Sequence, residues 1–147
     1  MFKHIVIATD GSPASEHAAQ LAVGLARTHG AKLTAVYVVD PYPYLGVGEV
    51  NPQGFQAYMA AAQAQAAQAH AQVETLCKQG GEPAVALEVR LVEEMGAASG
   101  IVQTAASLGA DLIVLGSHGR SGIARLMLGS VSTKVVAESK VPVLVTR

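Results

Sequence analysis

Apolar positions along the chain change period several times, and each change marks an element. His4-Ile-Val-Ile-Ala8 is a short run rich in β-branched residues without alternation, which predicts a strand buried on both faces. Asp10-Gly11-Ser12-Pro13 ends it, with Ser12 placed to cap a helix and Pro13 at its first position. Ala14, Ala18, Leu21, Ala22 and Leu25 then recur at helical spacing up to Gly30. Leu33 to Val39 reads as a second buried strand, ended by Asp40-Pro41. From Pro41 to Pro52 the chain carries three Pro and two Gly with no period, a long loop of the kind that serves function in compact domains. Phe55, Met59, Ala62, Ala66, Ala69, Val73 and Leu76 mark one face of a long helix closed by Gly80-Gly81. Val85 to Val92 alternates apolar and charged residues late in its length, as an edge strand would. A third helix carrying Ile101, Ala105 and Leu108 ends at Gly109, and Leu112 to Leu115 is another buried strand. Val131, Val135 and Val136 begin a fourth helix, and Val141 to Val145 forms a last strand whose Pro142 suits an edge. The alternation predicts an α/β fold: one parallel, doubly wound sheet with helices on both faces.

Composition narrows what such a fold can do. Of 147 residues 50% are hydrophobic and only 14% charged, which excludes a disordered chain. The net charge of −1 gives no global field to recruit nucleic acid. No apolar run approaches the ~18 residues that span a bilayer, so no membrane role is expected. One cysteine, Cys77, and five dispersed histidines give neither an internal disulfide nor zinc-ligand spacing. With no signal-like h-region after Met1, the expected compartment is the cytoplasm.

In a doubly wound sheet ligands sit beyond the carboxyl ends of the strands where the strand order reverses, which singles out Asp10, Val39-Asp40 and the residues after Leu115. There Gly116-Ser-His-Gly119 and, ten residues on, Gly129-Ser130-Val-Ser132 lie between a strand and a helix. Glycines allow positive φ and close backbone approach, and a hydroxyl with free amides at a helix start favours phosphate. The last thirty residues also hold Arg120, Arg125, Lys134, Lys140 and Arg147 against Glu138 alone. The competing reading is that these glycines only make tight turns. The segment has no G-x-x-x-x-G-K-[ST] and the chain no G-x-S-x-G elbow, which sets aside P-loop and α/β-hydrolase chemistry.

The spacing Gly116-x2-Gly119-x9-Gly129-Ser130 resembles that of the universal stress protein family, and the likeness spans nearly the whole chain. It includes Ile-Val-Ile-Ala-Thr-Asp-Gly-Ser at the start, Val-Tyr-Val-Val-Asp after the second strand and Ala-Asp-Leu-Ile-Val-Leu-Gly-Ser-His-Gly. The resemblance implies five strands in the order 3-2-1-4-5 and, in the nucleotide-binding branch, ATP along the carboxyl edge, with Mg2+. Carried over, Asp10 faces the ribose or phosphate side with Ala8 and Thr9 beside it, and Val38 offers its backbone to the adenine edge. Gly116, His118 and Gly119 shape the turn near ribose and phosphates; Gly129, Ser130, Val131 and Ser132 donate to the phosphates. Ala8 stands where some members have Pro, and Ser132 where others have Thr.

These residues also have plainer roles open to them. Asp10 could cap a turn through its side chain; His118 could be structural or solvated; Cys77 could be a small half-buried hydrophobe. Tyr42, Tyr44 and Phe55 could cover a base or simply anchor the loop. His4, His17, His29 and His70 show no ligand spacing. The function expected is that of a nucleotide-responsive regulatory protein, with an unidentified protein partner. No general base stands beside a defined water position and no Lys accompanies the glycines, which favours binding over catalysis; a slow ATPase and a nucleotide-free dimeric module are the alternatives. A homodimer is expected through the C-terminal strand, two copies pairing at the sheet edge and burying Val143 and Val145 together.

Overall fold

A computed structural model describes residues 1–39, 52–93, 95–118 and 128–147. Its elements are β1 (His4–Ala8), α1 (Pro13–His29), β2 (Lys32–Val38), α2 (Pro52–Lys78), β3 (Leu87–Val92), α3 (Ala97–Leu108), β4 (Leu112–Gly116), α4 (Ser130–Glu138) and β5 (Val143–Thr146). The strands form one parallel sheet ordered β3-β2-β1-β4-β5. That is the order implied by the resemblance, and it places the reversal between β1 and β4. The stretch 40–51, to which the long loop with Tyr42 and Tyr44 was assigned, lies outside the described residues, as do Gly119, Arg120 and Arg125.

The unalternating runs have a direct cause. Successive side chains of a strand point to opposite faces, and both faces of this sheet are covered. Ile5 and Ile7 pack with Leu33, Ala35, Leu112 and Val114 under α1 and α2. Val6 and Val36 pack with Ile113, Leu115, Ile101, Ala105 and Val135 on the α3 and α4 side. Helices approach closely because the contact residues are small: α1 buries Ala18, Ala19, Ala22, Val23 and Ala26. Leu21, expected in that stripe, is 42% exposed, since the alanine ridge rotates it out of contact. On α2, Ala62, Ala66, Ala69 and Val73 are buried as expected, and Phe55 at the far end of the face is exposed.

Caps fix the helix ends. Ser12 Oγ accepts from Ser15 N–H (3.3 Å), Pro13 occupies the first turn, and Gly30 closes α1 at φ 64°. Gly109 closes α3 in the same left-handed conformation, φ 66°. At the amino edge of the sheet, the end of β1 and β4 opposite the site, Asp111 carboxylate oxygens accept from the Lys3 and His4 amides.

The edges differ from expectation in detail. β3 begins at Leu87 and leaves Val89 and Leu91 exposed along with Arg90, so it is open on more than one face. Glu88 takes Lys32 and Arg90 as ionic partners there. β5 begins at Val143, just after Pro142, whose carbonyl accepts from Ile113 N–H (3.0 Å). Val143 and Val145 pack against the α3 and α4 cluster of their own chain. Both are half-buried on that inner face, and Leu144 is the exposed apolar residue of the strand.

Candidate functional site

The chain leaves β1 through Thr9, whose amide still bonds to Val36 O (3.0 Å), and then turns. Gly11 makes that turn possible at φ 79°, a conformation a side chain would strain. A chain of hydroxyls holds it. Ser15 donates to Ser12 O (2.9 Å), so its lone pairs receive the Asp10 amide (3.4 Å) and the Thr9 hydroxyl (3.3 Å), while Thr9 Oγ1 accepts from Gly11 N–H (3.3 Å). Asp10 Oδ1 accepts from Ser12 N–H at 2.9 Å, an Asx turn. The capping role open to Asp10 is thus one it performs. Ala8 is half-buried and Thr9 buried directly beneath this turn.

β4 ends beside it. A β-carbon on Gly116 would stand 3.1 Å from the carbonyl atoms of Ala14, so the absence of a side chain lets β4 press against the first turn of α1. Ser117, buried, donates its amide to Thr146 O (2.7 Å) and puts its hydroxyl oxygen 3.1 Å from His118 Nδ1. Its carbonyl accepts twice from α4: from Gly129 N–H at 2.7 Å and from Ser132 Oγ at 2.9 Å. A β-carbon on Gly129 would lie 2.9 Å from that carbonyl oxygen, closer than real contacts allow.

Two expectations change here. Gly116 and Gly129 are close-approach glycines and have no positive φ; the left-handed glycines of the described residues are Gly11, Gly30, Gly80, Gly81 and Gly109. The Ser132 hydroxyl, expected to donate to phosphate, is 2% exposed and directs its proton at Ser117 O or Gly129 O (3.0 Å). Its part is to pin α4, leaving its backbone amide for any anion.

What α4 presents outward is its first turn. Gly129 is the N-cap, and no side chain caps the helix among the described residues. Ser130 and Val131 are exposed, and Thr133 is the first residue whose amide bonds back, to Gly129 O (2.9 Å). The amides of Ser130, Val131 and Ser132 are the orphan donors of a helix start. Val38 lies at the end of β2. Val36 O faces β1 and Val39 N–H faces β3, bonding Val92 O (2.8 Å); alternation aims the Val38 N–H and C=O toward β1, past the level at which β1 has turned away. Ala8, Thr9, Asp10, Val38, Gly116, His118, Gly129, Ser130, Val131 and Ser132 all fall at the carboxyl edge; Gly119 is outside the described residues.

Other candidates fall elsewhere. His4 Nε2 is 2.7 Å from Thr34 Oγ1 in the body of the sheet, and His29 packs edge-on against Phe2. Cys77 is buried under α1, and burial pushes its thiol up, against a smaller opposing pull from Arg27. No group of three His, Cys, Asp or Glu side chains suited to a metal occurs among the described residues. Sequence reasoning gave no role to Ser15 or Ser117. Ser15 carries the helical signal of an α1 core position, and nothing in a residue name reports that a carbonyl will take two donors.

A parallel sheet in this order, with helices on both faces and a helix start bared at the reversal, defines a doubly wound α/β protein of Rossmann-like class. The chain belongs to the universal stress protein family, whose pattern it matches over residues 1–147. A universal stress protein of Thermus aquaticus is 37% identical over the full length of both chains. Among solved structures, universal stress protein UspA from Lactobacillus plantarum is similar at 28% identity and a TM-score of 0.81, covering 99% of this chain and 97% of its own. A universal stress protein solved in complex with cAMP is 27% identical, with a TM-score of 0.66 over 99% of this chain and 97% of its own.

Proposed function

We propose that residues 1–147 form one nucleotide-binding domain that holds ATP at the carboxyl edge, with Mg2+ on the triphosphate, and acts in the cytoplasm as a nucleotide-responsive regulatory protein. The observation that carries this reading is the first turn of α4: three amides with neither a helical acceptor nor a capping side chain among the described residues, and a Gly129 whose missing β-carbon keeps the turn seated on Ser117. The amides of Ser130, Val131 and Ser132 would receive phosphate oxygens, with the Ser130 hydroxyl beside them. Asp10, already folded into its Asx turn, would border the ribose and phosphates with Ala8 and Thr9. Val38 would present one donor and one acceptor to the adenine edge. Gly116, His118 and Gly119 would line the passage between them. The similar protein solved with cAMP supports an adenine nucleotide as the ligand class. With no group placed to activate water among the described residues, binding is favoured over hydrolysis.

Calorimetry with ATP and, separately, cAMP tests this. A Kd for ATP below ~1 mM is expected from several charge-assisted bonds converging on one polyanion. Gly129→Val should abolish binding while the far-ultraviolet circular dichroism spectrum is kept. Wild-type protein that binds neither nucleotide would refute the reading and leave the nucleotide-free module. Tighter binding of cAMP than of ATP would make the cyclic monophosphate the ligand, and release of ADP in single turnover would make the protein an ATPase.

The assembly we infer is a homodimer through β5, an edge strand of the sheet, with Leu144 and Val136 exposed near it. An uncovered edge invites pairing with a second copy.

A further inference from the structure

The buried face of α3 carries one residue that a helix interior disfavours. Gly100 stands in its first turns, where glycine costs about 1 kcal/mol relative to alanine, and its φ is not left-handed, so backbone conformation gives no reason for it. Space does. A β-carbon there would stand 3.0 and 3.2 Å from the two γ-carbons of Val38 and 3.2 Å from Val92 Cγ1. Three branched methyls from the ends of two neighbouring strands, β2 and β3, converge on the position that a side chain would fill. Gly116 and Gly129 press against backbone; Gly100 alone of these presses against the side chain of a residue whose own backbone faces the open end of β1.

We propose that Gly100 is a positioning residue for the nucleobase. By leaving that space empty it lets Val38 sink toward α3, which sets the height at which the Val38 N–H and C=O meet the edge of a base. The inference rests on the nucleotide reading above. Val38 is held on one side by pairing with Val92 and is free of strand pairing on the other, so a push from α3 is not absorbed by a β1 ladder at that level. A shift of a few tenths of an ångström at this point changes hydrogen bonds to the base, whereas the first turn of α4 is tied to Ser117 O at the end of β4 and is moved less. Gly100 touches no ligand in this scheme; it acts through Val38.

The test separates base from phosphate. ATP and inorganic tripolyphosphate are titrated against wild type, Gly100→Ala and Gly100→Ala/Val92→Ala, with melting temperatures taken on all three. The single variant should bind ATP about three- to tenfold more weakly, the worth of one perturbed hydrogen bond, and tripolyphosphate as wild type does. Removing the Val92 γ-carbons opens room on the β3 side for α3 to move into, so the double variant should recover most of the ATP affinity even if its melting temperature falls further. Equal loss of ATP and tripolyphosphate affinity, an ATP affinity unchanged in Gly100→Ala, or a double variant that binds ATP no better than the single one would each overturn the positioning role. Wild type that binds neither ligand would instead overturn the nucleotide reading.

Discussion

Ser132→Ala discriminates between a hydroxyl that touches phosphate and one that holds the protein together. The side chain is 2% exposed, and its oxygen lies 2.9 Å from Ser117 O and 3.0 Å from Gly129 O. Removing it deletes one hydrogen bond but orphans nothing, because Ser117 O keeps the Gly129 amide at 2.7 Å and Gly129 O keeps the Thr133 amide at 2.9 Å. The cost is then the net worth of a neutral hydrogen bond, about 1 kcal/mol, without the larger penalty of a buried unpaired group. For a chain of this length that lowers Tm by roughly 2–4 °C. The backbone amide of residue 132 is unchanged, so ATP affinity should fall by less than about threefold. Differential scanning calorimetry and isothermal titration on one preparation read both quantities. A tenfold or greater loss of ATP affinity with an unchanged Tm would show that the hydroxyl leaves Ser117 to meet the ligand, and the reasoning would fail.

Three further outcomes are expected. Asp10→Asn keeps an acceptor for the Ser12 amide and should melt within a degree or so of wild type, on the order of an ordinary surface substitution, whereas Asp10→Ala should melt lower; equal melting of both variants would remove the Asx turn from the account. Burial pushes the His70 imidazole below its ordinary value, partly offset by the backbone of Arg90, and its buried Nε2 has no hydrogen-bond partner among the described residues. Below pH ~6.5 the unfolded chain takes up a proton that the folded chain resists, so stability present above that pH is lost on acidification. Urea unfolding of wild type and His70→Gln at pH 7.5 and 5.5 should show the smaller acid loss in the variant, and parallel losses would count against it. Leu144→Lys, on the outward face of β5, should sediment as a folded monomer at tens of micromolar, on the order of concentrations at which a specific interface persists; a wild type already monomeric there would remove the homodimer.

The elements were legible because burial on both faces writes a distinctive run. Ile5-Val6-Ile7 and Leu112-Ile113-Val114-Leu115 cannot alternate when α1 and α2 cover one side and α3 and α4 the other. Ser12, Gly30 and Gly109 announced helix ends through backbone chemistry that belongs to single residues. Strand order was legible only through resemblance, since pairing is decided between segments far apart in the chain. The glycines and hydroxyls that the sequence singled out fall at the carboxyl edge, but their local contacts could not be read from it. Whether Gly129 is needed for φ or for space depends on where the Ser117 carbonyl lies, and whether Ser132 faces ligand or protein depends on the same atom. That Val143 and Val145 also pack against the α3 and α4 cluster of their own chain was not legible either, because an apolar run on an edge strand does not say which face is which.

That one carbonyl also makes two elements move as one. Ser117 O accepts from the Gly129 amide at 2.7 Å and from the Ser132 hydroxyl at 2.9 Å, so the end of β4 and the start of α4 are fixed to each other. The same strand end abuts the first turn of α1 through Gly116. A displacement of either helix start is therefore passed to the other through the end of one strand.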